Sequence, residues 1–101
     1  MALLQLTIIP MGTATPSVSS YIVDIQQALN SKNIAYKLTD MGTVLEGDAG
    51  ELLAIAAELH ELPFKKGIKR VVTQIVIDDR RDKKTGIGDK VNSVKNKLKD
   101  L

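Results

Sequence analysis

Hydrophobic residues in this chain recur at two periods, and the order in which those periods alternate leaves few folds open. Residues 3–9, LLQLTII, place Leu4, Leu6 and Ile8 on one face at period two, with Gln5 and Thr7 on the other. Pro10 cannot donate to a ladder and ends that strand. The turn-rich stretch MGTATPS follows. Residues 17–32 switch to helical spacing, with Val18, Tyr21, Ile22, Ile25, Ala28 and Leu29 in one stripe. Thr15 or Ser17 suits its cap and Pro16 its first turn. Residues 34–39 and 43–46 return to strand, joined as a hairpin. Asp48 with Glu51 three residues on has capping-box spacing. Leu52, Ile55, Ala56 and Leu59 then define a second helix that stops before Pro63, with residues 64–67 as loop. Residues 69–78, KRVVTQIVID, form a Val- and Ile-rich strand that is apolar on both faces, which predicts cover on both sides.

The order is β-α-β-β-α-β plus a final helix. The fold class is therefore α+β, a ferredoxin-like sandwich with an additional C-terminal helix. One domain spans residues 1–101: a core over 1–78, a charged connection over 79–86 and a helix over 87–101. Ile87, Val91, Val94, Leu98 and Leu101 form a heptad-like seam on that helix, suited to docking on its own domain or to a subunit contact. Two helices on one face of the sheet leave the other face open, and Leu3, Ile9, Val72 and Val76 are candidates to lie there. Small proteins seldom expose such an area, so a homodimer or homotetramer through the sheet and the C-terminal helix is expected.

Composition removes several function classes. The net charge of +2 is too small to imply nucleic acid or an anionic membrane. The absence of cysteine excludes disulfides, thiolate zinc sites and a cysteine nucleophile, and the single histidine excludes multi-histidine metal sites. No metal and no cofactor are expected. Three aromatic residues give little platform for stacking bases. No run approaches the roughly 20 apolar residues of a membrane span. The N-terminal stretch lacks the basic region of a signal peptide, so a cytoplasmic location is expected.

Met-Gly-Thr occurs twice, at 11–13 and at 41–43. The split-βαβ arrangement is read as placing these copies at opposite ends of the sheet, to be joined only by subunit pairing. Each also suits a turn that needs glycine. Around them lie Thr13, Ser17, Ser20, Thr39, Thr43 and Glu46, with Gln5, Thr7 and Gln74 on neighbouring strands. These side chains suit a small polar ligand, and each hydroxyl equally suits a cap or a strand surface. Arg70 suits an ion pair with Glu46, a surface position or a binding role. His60 suits the C-terminal end of its helix.

PMGT at 10–13, PSVSSY at 16–21, YKLTDMGTVLEG at 36–47, HELPFKKGIKRV at 60–71 and IVIDDRRD at 75–82 occur in that order. In this pattern, over residues 3–99, the chain resembles the small thiamine-binding protein family of the YkoF-like superfamily. The resemblance implies a ferredoxin-like chain that assembles as dimers or tetramers. It also implies binding of thiamine or its hydroxymethylpyrimidine part, without catalysis. Hydroxyls and amides match an aminopyrimidine edge, and a carboxylate, an aromatic face or a methionine suits a thiazolium. The candidate ligand-binding residues are Thr13, Ser17, Ser20, Tyr21, Thr39, Met41, Thr43 and Glu46, with Met11 beside them. No basic cradle is legible near the Met-Gly-Thr copies, which favours an unphosphorylated ligand.

The expected function is thus a non-enzymatic carrier, buffer or sensor of a small molecule. The alternative is an oligomeric assembly module with no such ligand. An acylphosphatase-like hydrolase needs an Arg in the first loop, and PMGTATPS has none. An RNA-binding sheet needs aromatic residues on its central strands, and LLQLTII and RVVTQIVI carry none.

Overall fold

The computed structural model describes residues 1–101 and places eight elements along the chain. They are β1 (Ala2–Pro10), α1 (Ser19–Asn30), β2 (Ala35–Thr39), β3 (Gly42–Gly47), α2 (Ala49–His60), α3 (Leu62–Lys65), β4 (Val71–Asp79) and α4 (Asp89–Lys99). The sheet order is β2-β3-β1-β4, antiparallel throughout. This is the ferredoxin-like α+β arrangement, with an added C-terminal helix.

The period-two pattern of β1 sets the two faces. Ala2, Leu4, Leu6 and Ile8 are buried and pack with Ile25 and Leu29 of α1, Leu45 of β3, and Leu52, Ile55, Ala56 and Leu59 of α2. Both long helices therefore cover one face. Asp48 caps α2, its carboxylate accepting from the Glu51 N–H at 3.4 Å. Leu3↔Asp78, Gln5↔Val76, Thr7↔Gln74 and Ile9↔Val72 are paired on the open face, so Leu3, Ile9, Val72 and Val76 do lie together there.

Four expectations are corrected. First, β4 is an edge strand, and Val72, Ile75, Val76 and Ile77 are all exposed rather than covered on both sides. Its apolar composition reads as burial only until the strand order assigns it the edge. Second, residues 62–65 form a one-turn helix, α3, rather than loop; Pro63 fits because a first turn needs no donor there. Third, neither Thr15 nor Ser17 caps α1, whose N-cap is Val18 with no side-chain bond, and Pro16 precedes the helix. Fourth, the two Met-Gly-Thr copies stand at the same end of the sheet. β1 and β2 are both antiparallel to β3, hence parallel to one another, so both end toward the same side, with β1 running on to Pro10 beyond its last pair with β3, Leu6↔Thr43.

The C-terminal helix does not dock on its own domain. No residue of α4 is buried, and Val91, Val94 and Leu98 are 55%, 58% and 60% exposed. Its base is tied by Lys90 to Asp78 and by the Ile87 N–H to Glu46. The radius of gyration is 15.4 Å, against about 13 Å for a compact domain of this length. No helix is long and apolar enough to cross a membrane.

Candidate functional site

A mostly apolar cavity opens between α1, the C-terminal half of β1 and the β2–β3 hairpin, with a volume of about 200 Å³. Each wall follows from a local feature of the sequence. β1 contributes Leu6 and Ile8 from its buried face. The helical stripe of α1 contributes Val18, Ile22 and Ile25. The β2–β3 hairpin adds Leu38, Thr39, Asp40 and Met41. Gly42 is required by close approach, since a Cβ there would meet the Leu6 carbonyl oxygen and Thr7 Oγ1, each at 2.8 Å. Thr7 Oγ1 donates to the Met41 carbonyl at 3.0 Å and anchors the hairpin.

At the cavity wall, Gln26 Nε2 donates to Thr43 Oγ1 at 3.1 Å. Thr43 is the buried polar residue of the sheet, 5% exposed. Neither the Gln26 amide oxygen nor the Thr43 O–H is otherwise engaged in the chain. An acceptor and a donor therefore stand side by side among apolar walls. Such a pair complements a flat heteroaromatic edge that carries an amine beside a ring nitrogen.

Thr39, Met41 and Thr43 are thus brought together in this cavity, and Gln26 joins them. Sequence reasoning passed over Gln26, although it lies four residues after Ile22 and interrupts the apolar face of α1. The other candidates stand elsewhere. Thr13 Oγ1 donates to the Thr15 carbonyl at 2.7 Å, and Ser17 Oγ shares a hydrogen bond with Ser19 Oγ at 3.3 Å, so both hydroxyls serve their own loop. Ser20 lies in the exposed first turn of α1. The Tyr21 ring lies beneath the Lys66 ammonium, 4.9 Å away, and Lys66 pairs with Asp24 at 2.7 Å.

Glu46 is paired with Leu3 and Ala35, at the opposite end of the sheet and on its open face. Its Oε1 accepts the Ile87 N–H at 2.7 Å, which ties down the start of α4. Gln5 and Gln74 are also on the open face. His60 Nδ1 lies 2.6 Å from Thr73 Oγ1, with Phe64 edge-on to its ring. Arg70 is far from Glu46 and makes no ion pair. It stands with Lys69 beside Met11 and Gly12, so the fold supplies basic residues next to the first Met-Gly-Thr copy. They are distant in sequence, and β1–β4 pairing brings them together.

The connection after β4 pairs within itself. Arg80 holds the Asp82 carboxyl down to about 2 through a bidentate hydrogen bond at 2.6 and 2.9 Å. Arg81 lowers Asp79 by donating from Nε and Nη2 to the one oxygen Oδ2, at 3.1 and 2.8 Å.

Residues 4–95 match the family described as thiamine-binding protein. The chain is 49% identical to the UPF0045 protein YqgV of Bacillus subtilis, covering 97% of this chain and 98% of that one. It is 44% identical to a UPF0045 protein of Methanothermobacter thermautotrophicus over 93% of this chain and 96% of that one. Protein MJ1052 of Methanocaldococcus jannaschii superposes with a TM-score of 0.84 at 32% identity, covering 93% of this chain and 95% of that one. A Thermotoga maritima protein provisionally assigned to thiamine biosynthesis or salvage shares the fold, with a TM-score of 0.77 at 22% identity over 92% and 97% of the two chains.

Proposed function

The chain belongs to the thiamine-binding protein family, and from that premise we propose that it binds thiamine or its hydroxymethylpyrimidine moiety non-catalytically, as a carrier, buffer or sensor. The observation that carries this reading is the Gln26–Thr43 pair on the wall of an apolar cavity. An aminopyrimidine offers an amine donor beside a ring-nitrogen acceptor, which answers the Gln26 carbonyl and the Thr43 hydroxyl in turn. Ile8, Ile22 and Leu38 take the ring faces, and the Met41 thioether lies at the rim. The volume of about 200 Å³ is below the ~300–1,000 Å³ of sites for drug-sized ligands. It suits the pyrimidine half, with the thiazolium projecting outward.

The same reading includes self-association. The bare stripe of α4 and the apolar residues of the open sheet face are the surfaces a second copy would cover. Isothermal titration calorimetry with thiamine and with hydroxymethylpyrimidine, at two temperatures, tests the ligand. Saturable binding of both supports the reading, and no heat at either temperature refutes it. Light scattering of the purified chain tests assembly: a dimer or tetramer that Leu98→Asp dissociates supports it, and a monomer refutes it.

A further inference from the structure

An open groove lies just past the end of β1, lined by Met11, Gly12, Gly67, Ile68, Lys69 and Arg70. The Met11 N–H donates to the Arg70 carbonyl at 2.9 Å, which carries β1–β4 pairing one residue past the sheet and closes the groove floor. Both glycines are left-handed, Gly12 at φ +74° and Gly67 at φ +90°, and nothing stands within 4 Å of where a Cβ would be. The chain thus turns twice at this point without side chains to fill the space.

What lines the groove is a set of unspent donors. Neither the Arg70 guanidinium nor the Lys69 ammonium has a carboxylate partner. The backbone N–H groups of Gly12 and Lys69 have no acceptor in the chain. Other unpaired lysines of the chain stand outside this groove; what sets Lys69 and Arg70 apart is that they line it together with bare backbone amides. Two free cations, one of them a planar fork, together with bare amides and no carboxylate, describe a receptor for a phosphoryl oxyanion.

We propose that this groove is an anion subsite that takes the phosphoryl end of a phosphorylated ligand. It rests on the reading above in one respect: the ring end of that ligand occupies the α1–hairpin cavity, which opens at the same end of the sheet. The chain then favours phosphorylated over free forms of its ligand.

The experiment compares thiamine, thiamine pyrophosphate and inorganic pyrophosphate by calorimetry, on the native chain and on the Lys69→Gln/Arg70→Gln variant. Both positions are exposed, so the variant keeps its fold, which its circular dichroism and Tm check. Thiamine pyrophosphate is expected to bind the native chain about tenfold more tightly than thiamine. The variant loses that advantage while its thiamine affinity stays within about twofold. The advantage also shrinks with added salt, as the Debye length falls from about 10 Å at 0.1 M to about 3 Å at 1 M. Equal affinities in the native chain, or an advantage that persists in the variant, overturns the proposal. If inorganic pyrophosphate binds the native chain but not the variant while thiamine binds neither, the anion subsite stands and the pyrimidine reading falls.

Discussion

Thr43→Val keeps the shape of the side chain and deletes only the hydroxyl that accepts from Gln26 at 3.1 Å. A neutral hydrogen bond contributes about 0.5–1.5 kcal/mol net, and stranding a buried partner costs about 1–3 kcal/mol. Gln26 is only partly buried and opens on the cavity, so water satisfies part of its amide. The lower end, about 1 kcal/mol, is therefore expected, which lowers Tm by roughly 4–8 °C for a domain of this size. Gln26→Leu removes the other partner. In the double variant no polar group is stranded, so the two losses should fall short of additive by about 0.5–1.5 kcal/mol. Thiamine affinity should fall about tenfold in Thr43→Val, the equivalent of ~1.4 kcal/mol. Thr43→Ser, which keeps the hydroxyl, should retain most of it. Urea denaturation supplies the stability cycle and calorimetry the affinities. A measurable stability coupling with unchanged thiamine affinity would refute the placement of the ring in this cavity. Strictly additive losses would refute the role of the hydrogen bond itself.

Gly42→Ala drives a Cβ to 2.8 Å from the Leu6 carbonyl oxygen; a backbone neighbour yields little, so a loss of about 1–3 kcal/mol is expected in denaturant melts. Glu46→Ala should leave thiamine affinity unchanged and sharply raise hydrogen exchange at the Ile87 amide, whose acceptor it removes; a large affinity loss would place Glu46 in the site. The Asp82 carboxyl should titrate in the folded chain near 2, below its ordinary value of 3.8. Because the folded value is the lower one, its contribution is fully present above the unfolded pKa and is lost as pH falls through about 2. Carbon-13 NMR of the side-chain carboxyl reads the midpoint, and a value near 3.8 would show that the Arg80 pair does not persist in solution.

Local rules made much of the architecture legible. The alternation Leu4, Leu6, Ile8 forecasts the buried face of β1, and Asp48 before Glu51 forecasts the start of α2. Both depend on neighbours within a few residues. The same rules misjudged the start of α1, because the hydroxyls of Thr13, Thr15 and Ser17 bond within their own loop instead of capping the helix. They also misjudged β4, whose Val and Ile content resembles that of an interior strand.

Periodicity and spacing therefore determined which residues share a face and in what order strands and helices follow, since each is set by backbone geometry over one or two turns. Only the tertiary structure decided which strand takes the edge, which loops share an end and which polar side chains meet. Those depend on strand order and register, which link residues far apart in sequence: Gln26 with Thr43, Glu46 with Ile87, and Met11 with Arg70. The cavity and the basic groove are products of that long-range pairing.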